Sequence, residues 1–215
     1  GLAHEIRNPL MAIRGFTQLL MEGCIQPAEK EYAAIVVKET GRLNRLVEQL
    51  LKVARPTVAI IEPIAVSEVI DNVIPLVNTK ATRENIEIVC DIPGDLPRVL
   101  ADAEQLLQVL LNLLLNSIQA IQDGAGRIDI TATYVPQEHM VHISVADTGM
   151  GITEEHMKKI FDPFFTTKPH GTGLGLPVAV RLVKGWGGKI LVSSSEKGSI
   201  FTVCLPAAEG VQAHG

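Results

Sequence analysis

The segment from Asp102 to Gln122 constrains the fold most. Wound as a helix at about 100° per residue, Leu106, Leu107, Val109, Leu110, Leu111, Leu113, Leu114, Leu115, Ile118 and Ile121 make it apolar nearly all round. A helix of that kind belongs inside a folded domain, and Asp102 stands where its cap is expected. Yet Gln105, Gln108, Asn112, Asn116 and Gln119 fall within a stripe about 80° wide. An ordinary solvent face would carry Lys and Glu. This one carries only amides, with two asparagines one turn apart. Amide oxygens suit a hard cation that keeps phosphate ligands, as Mg²⁺ does. The same stripe also reads as a buried polar seam paired with neighbouring backbone.

The first helix has a different character. Leu2, Ile6, Pro9, Ile13, Phe16 and Leu20 follow a four-three spacing and form one narrow seam. His4 points away from that seam, with Glu5 beside it and Asn8, Met11, Gly15 and Leu19 lined up below. The helix is expected to run to about Gly23. A short connection follows over Cys24–Glu29, and a second helix carries Tyr32, Val36, Leu43, Leu46, Leu50 and Val53, its seam interrupted at Glu39. Helices joined so closely are antiparallel neighbours. A lone hairpin leaves half its seam wet, and pairing two copies into a four-helix bundle covers it. Pro56 ends the second helix, and Ala54–Thr57 reads as a linker and hinge.

From there the pattern becomes α/β. Strands are expected over Val58–Val66, Ile86–Ile92, Val99–Ala101, Arg127–Val135 and Met140–Ala146, with a last hairpin of Lys189–Ser194 and Ser199–Leu205 around Gly198. Helices are expected from a Ser67 cap to about Thr82, from Asp102 to about Gln122, and over Leu174–Trp186. The sheet is expected to be largely antiparallel. Asp147–Gly175 reads as a long glycine-rich loop, and the chain from Pro206 as a disordered tail. The expected organisation is a helical hairpin over 1–54, a linker over 55–57, an α/β domain over 58–205 and a tail over 206–215.

Composition narrows the function. A net charge of −5 argues against a nucleic-acid binder, which would show a basic patch. No apolar run approaches the ~18 residues of a membrane span, and no signal peptide is visible. The three cysteines, Cys24, Cys90 and Cys204, are too scattered for a disulfide or zinc framework and fit reduced thiols in the cytosol. The chain opens within a helical pattern that lacks a cap, as a piece of a longer protein would.

Three loops carry the remaining chemistry. Asp147-Thr148-Gly149-Met150-Gly151-Ile152 sets a carboxylate at a strand end, where it can accept a hydrogen bond from a base amino group. Its glycines let backbone approach a flat ligand. Gly171-Thr172-Gly173-Leu174-Gly175-Leu176 opens a helix, whose first amides suit phosphate. Between them, Phe161, Phe164 and Phe165 are three of the chain's five phenylalanines, and Lys168 is a candidate phosphate contact. The loop reads as a lid hinged on glycines and clamped by phenylalanines, or as phenylalanines folded back into the core.

In order along the chain stand His4-Glu5-Ile6-Arg7-Asn8-Pro9, Asn112-Leu113-Leu114-Leu115-Asn116, Asp147-Thr148-Gly149-Met150-Gly151, Phe161-Asp162-Pro163-Phe164-Phe165 and Gly171-Thr172-Gly173-Leu174-Gly175-Leu176. Together they resemble the histidine, asparagine, first glycine, phenylalanine and second glycine boxes of bacterial sensor histidine kinases. The likeness spans essentially the whole chain and is strongest to the sporulation-type kinases of spore-forming bacteria. It implies a dimeric helical hairpin bearing the phosphoacceptor, then an ATP-binding domain of the Bergerat fold.

The resemblance further implies that His4 takes the phosphoryl group from ATP and passes it to an aspartate on the receiver domain of a response regulator, as in a sporulation phosphorelay. A neutral imidazole is nucleophilic near pH 7. Glu5 matches the family's acidic neighbour, able to orient the ring or act as base, and Asn8 matches a residue that orients water for regulator dephosphorylation. Asp147 matches the adenine-recognising residue and Asn116 the Mg²⁺ ligand. Asn112 matches a second amide near the phosphates. Gly149, Gly151, Ile152, Lys168, Gly171, Thr172, Gly173, Leu174, Gly175 and Leu176 match the loops around the nucleotide.

Met11, Gly15 and Leu19 form the candidate docking stripe for the regulator, and the hairpin is also where a small inhibitor protein would bind. The parent protein is expected to be a membrane-attached sensor kinase with this part in the cytoplasm. Two rivals follow from the same residues. One is a hydrolytic ATPase of the chaperone, gyrase and mismatch-repair type, which carries a glutamate where this chain has Asn112. The other is an ATP-binding dimer that only docks partners.

Overall fold

The structure, a computed structural model, describes residues 2–23, 29–38, 40–41, 59–121, 124–168 and 171–208; for residues 2–9, 12 and 19 it describes the backbone alone. The chain divides into two compact units, Gly1–Val58 and Ala59–Gly215.

In the first unit, α1 spans Leu2–Gly23, about 33 Å of helix at the standard rise. A second helical stretch, α2, covers residues 29–38. The hydroxyls of Thr17 and Thr40 are turned inward onto the carbonyls of Ile13 and Val36 at 2.7 and 2.6 Å, the usual way a helix accommodates a threonine. The seam side chains Ile13, Phe16 and Leu20 are exposed, as are Met11, Tyr32, Ile35 and Val36. The expected connection from Cys24 and the linker over 54–57 lie outside the described residues, apart from Glu29, which already belongs to α2. So does most of the second helix beyond residue 41.

The second unit is a helical layer packed on a sheet. Its order is β1 (Glu62–Ile64), α3 (Val66–Arg83), β2 (Ile86–Asp91), β3 (Val99–Ala101), α4 (Ala103–Ala120), β4 (Gly126–Val135), β5 (Met140–Asp147), α5 (Glu154–Met157), α6 (Gly175–Gly185), β6 (Lys189–Ser195) and β7 (Gly198–Pro206). The main sheet runs β2-β4-β5-β7-β6, and β1 and β3 form a separate antiparallel pair. Strands β2 and β4 are parallel, while the other three junctions of the main sheet are antiparallel. The parallel pair requires a crossover, and that crossover contains α4.

Helix α4 packs between α3 and α6 and lies over β5. Its leucine-rich sequence explains this position, because it has partners on nearly every side. Leu106, Leu110, Leu113, Leu114 and Ile118 are almost completely buried against the inner sheet residues Ile128, Ile130, Ile143, Val145, Val203 and Leu205. β5 alternates half-buried and buried residues along its whole length, as a strand with one covered face must.

Asp102 caps α4 as expected: its carboxylate accepts from Gln105 N at 3.0 Å. Its other oxygen accepts from Ile60 N at 3.0 Å, pinning the segment that enters this unit.

Several expectations are corrected. Of the expected strand Val58–Val66, the described residues from 59 onward form strand only over Glu62–Ile64, because its partner β3 is itself three residues long. Val66 is buried in the core and begins α3; the N-cap is Ala65, which makes no side-chain bond, so Ser67 sits within the first turn and is not the cap. The glycine-rich loop contains α5, capped by Thr153, whose hydroxyl accepts from His156 N. Pro206 is not tail: it pairs with Met140 at the end of β7, where no donor is demanded of it. Beyond it, Ala207 N bonds His139 O and Ala208 N bonds Arg98 O. The expected tail over 209–215 lies outside the described residues.

Candidate functional site

The site is built around the C-terminal half of α4. Ser117 faces the sheet and is 1% exposed. Its hydroxyl donates to Asp147 Oδ2 at 3.2 Å, so the helix reaches the last residue of β5. The other carboxylate oxygen, Oδ1, accepts from Gly149 N at 2.9 Å and from Ser199 N at 3.3 Å. A carboxylate offers about four lone-pair positions. Three are thus engaged by groups from α4, the glycine loop and β7, and one position on Oδ2 remains for an incoming donor. Burial pushes the Asp147 carboxyl above the usual carboxylate range, opposed by those three hydrogen bonds and by the charge of Lys168.

The loop after Asp147 is fixed to both layers. Met150 N bonds Ala120 O at the end of α4. Ile152 N donates to Ser194 Oγ at 2.8 Å, and that hydroxyl donates to Gly198 O at 3.1 Å. Gly151 has φ +71°, and a Cβ there would lie 1.9 Å from Ser195 O. Glycine is therefore required at this position both by conformation and by space.

The amide stripe of α4 meets the second glycine loop and the segment that carries Lys168. Asn112 Nδ2 donates to Gly175 O at 3.3 Å, tying α4 to the start of α6. Lys168 Nζ donates to Asn116 Oδ1 at 3.1 Å and to Gln119 Oε1 at 2.7 Å. Burial and the nearby Lys80 push the Lys168 ammonium below the usual lysine range, and Asp147 opposes them.

Of the three phenylalanines between the glycine loops, Phe161 and Phe165 pack against the core, and Phe165 meets the His156 ring at 5.6 Å between centroids. Phe164 is exposed and holds φ +70°, an unusual conformation for a bulky residue. Its backbone N bonds Gly173 O, and a Cβ on Gly173 (φ +65°) would lie 2.3 Å from Phe164 C. The phenylalanines thus divide: two fold inward and one faces out.

Among the other candidates, Gly171 N bonds Lys168 O. Thr172 Oγ1 accepts from Leu174 N at 3.4 Å. Leu174 is buried, and Ile152 and Leu176 pack against the core. Met11 is exposed on α1 and Gly15 is half-buried. His4, Glu5, Asn8 and Leu19 lie on the backbone of α1, with their side chains outside the described residues.

Ser117 and Ser199 escaped the reading of the sequence. A lone hydroxyl in a leucine-rich buried helix was a usable signal for Ser117, because a buried polar group needs a partner. Ser199 lies opposite Asp147 through strand register, which no local pattern shows.

The chain is similar to known proteins along most of its length. Residues 101–209 match the family described as histidine kinase-, DNA gyrase B-, and HSP90-like ATPase. Residues 1–57 match the His Kinase A (phospho-acceptor) domain. The signal transduction histidine-protein kinase AtoS of Escherichia coli is 39% identical over 207 residues, covering 96% of this chain and 34% of AtoS. Sporulation kinase E of Bacillus subtilis is 36% identical over 213 residues, covering 99% of this chain and 28% of that kinase. The chain therefore spans about a third of the length of these relatives. The crystal structure of histidine kinase ThkA in complex with response regulator protein TrrA superposes with a TM-score of 0.71 at 33% identity, covering 96% of this chain and 60% of that one.

The class defined by fold and site is the nucleotide-binding domain of that ATPase family, preceded by a helical phospho-acceptor domain. Within it, the chain belongs to the bacterial sensor histidine kinases and spans their catalytic core.

Proposed function

We propose that this chain is a protein-histidine autokinase that phosphorylates His4 from ATP and passes the phosphoryl group to an aspartate of a response regulator. The supporting observation is that two adjacent residues of α4 meet two groups suited to opposite ends of a nucleotide. Ser117 steadies Asp147, whose remaining lone pair suits the adenine amino group. Asn116, the preceding residue, meets Lys168, a cation suited to phosphates.

Gly149, Gly151, Ile152 and the run from Gly171 to Leu176 carry the backbone around the nucleotide. Asn112 spends its amide N–H on Gly175 O and carries no carboxylate, so it cannot serve as a base for water. That favours transfer over hydrolysis.

In the transfer, His4 Nε2 forms a bond to the γ-phosphorus as the bond to the β-bridging oxygen breaks, and ADP leaves with the electron pair. Glu5 accepts a hydrogen bond from Nδ1–H, which holds the tautomer with Nε2 free, and takes that proton as the P–N bond forms. Asn8 orients water in a separate hydrolysis that cleaves the regulator's aspartyl phosphate and releases inorganic phosphate. The donor chemistry fits Mg²⁺: Asn116 supplies a neutral hard oxygen, and among the described residues there is no His, Cys, Asp or Glu cluster able to hold a metal by itself. Asn116 would therefore hold the ion together with the phosphates, and the ion would neutralise charge on them.

The exposed seam of Ile13, Phe16 and Leu20 favours a homodimer, since each such side chain gains about 1.5–3 kcal/mol when buried. Met11, Gly15 and Leu19 form the regulator surface, which a small inhibitor protein would share. No helix among the described residues is long and apolar enough to cross a membrane; the membrane attachment we propose belongs to the parent sensor kinase.

The test is incubation with Mg²⁺ and ATP labelled on the γ-phosphate, beside a His4→Gln variant. Label that is retained in base, lost in acid and absent from the variant is expected. Equal label on both proteins, or acid-stable label, would refute the assignment.

A further inference from the structure

We infer that Lys168 and the divalent cation are alternative occupants of Asn116, so that a lid lysine sets how much Mg²⁺ the site requires. The inference rests on the nucleotide-binding reading above. Lys168 Nζ bonds Asn116 Oδ1 at 3.1 Å and Gln119 Oε1 at 2.7 Å. An ammonium has three donors and no acceptor, and two of them are committed to neighbouring amides of the α4 stripe.

The lysine is also steadied through its backbone. Lys168 N donates to Thr166 Oγ1 at 3.1 Å, and Gly171 N donates to Lys168 O at 3.1 Å. A metal held through Asn116 Oδ1 would take the oxygen that Lys168 Nζ bonds. Two positive charges would then compete for one neutral acceptor, and neither charge is cancelled by it. Cation binding therefore displaces Lys168 from the stripe and frees the lid segment it anchors. The lysine is then a positioning residue: it bonds the stripe until the cation arrives and becomes available to phosphate afterwards.

The experiment measures the Mg²⁺ midpoint for ADP binding by calorimetry in the full chain and in two variants. ADP is used because it lacks the γ-phosphate and so limits the loss of direct phosphate contact. Lys168→Met is expected to lower the midpoint about tenfold, and Gln119→Ala, which removes the shorter of the two bonds, about threefold. Hydrogen exchange of residues 161–168 in protein without added nucleotide is expected to quicken in both.

An unchanged or raised midpoint, or lid exchange equal to the parent's, would overturn the inference. A midpoint that falls in Lys168→Met but not in Gln119→Ala would also overturn it, as a general effect of charge. A parent protein that binds no Mg²⁺·ADP would overturn this inference together with the reading beneath it.

Discussion

Replacing Asp147 by Asn tests the site with little disturbance to the fold. The carboxylate accepts from Gly149 N and Ser199 N on Oδ1 and from Ser117 Oγ on Oδ2. Asparagine with its oxygen at the Oδ1 position keeps the first two bonds. Its NH₂ group then faces Ser117, whose hydroxyl can turn to accept. What disappears is the remaining acceptor on Oδ2, which becomes a donor aimed at the adenine amino group. A hydrogen bond to a charged group contributes about 1.5–3 kcal/mol, so ADP affinity is expected to fall by ~10–150-fold.

Stability is expected to move the other way. Burial raises the folded-state pKa of Asp147 above its unfolded value. The folded state therefore binds the proton more tightly. Stability is lost as pH rises through the window from the ordinary Asp pKa, about 3.9, up to the raised value. At neutral pH the variant is free of that cost, and Tm is expected to stay within about 2 °C of the parent's or to rise.

The assay is calorimetry with ADP and with IDP, whose base carries an oxo group in place of the amino group. The parent is expected to prefer ADP and the variant to lose or reverse that preference. Equal losses for both nucleotides, or a Tm lower by more than about 4 °C, would show that Asp147 acts through the fold and not through the base.

Three further outcomes follow from the same structure. ADP affinity in the parent is expected to fall as pH drops, with an edge above the ordinary Asp range because the Asp147 pKa is raised; in Asp147→Asn the edge should vanish from a calorimetric pH series. Gly151→Ala places a Cβ 1.9 Å from Ser195 O at φ +71°, so calorimetric unfolding should show a loss above ~1 kcal/mol. Phe16→Glu puts a charge on the exposed seam; sedimentation should show a shift from dimer to monomer, while ADP binding by the second unit is retained.

What the sequence made legible was what lies close together in the chain. Asp102 as the cap of α4 could be read from its spacing alone, because its partner is Gln105. The core face of α4 followed from leucine periodicity. The limits of β1 did not, since a strand ends where its partner ends, and β3 is 35 residues further on. The start of α3 departs from its local signal for a related reason: Ser67 is the better cap by type, yet burial of Val66 decides the register. The surroundings of Asp147 divide along the same line. Gly149 is two residues away and was visible as a loop pattern, whereas Ser117 and Ser199 arrive from 30 and 52 residues away through helix packing and strand pairing.

Asp102 has a mechanical consequence. One of its oxygens closes the first turn of α4 and the other holds Ile60 N, 42 residues earlier. A pull on the chain upstream of Ile60 is therefore delivered to the end of α4 and not first to the sheet. The helix is a stiff rod from there to Asn116, about 21 Å along its axis. Strain entering this unit meets, at the far end of that rod, the turn that carries Asn116 and Ser117.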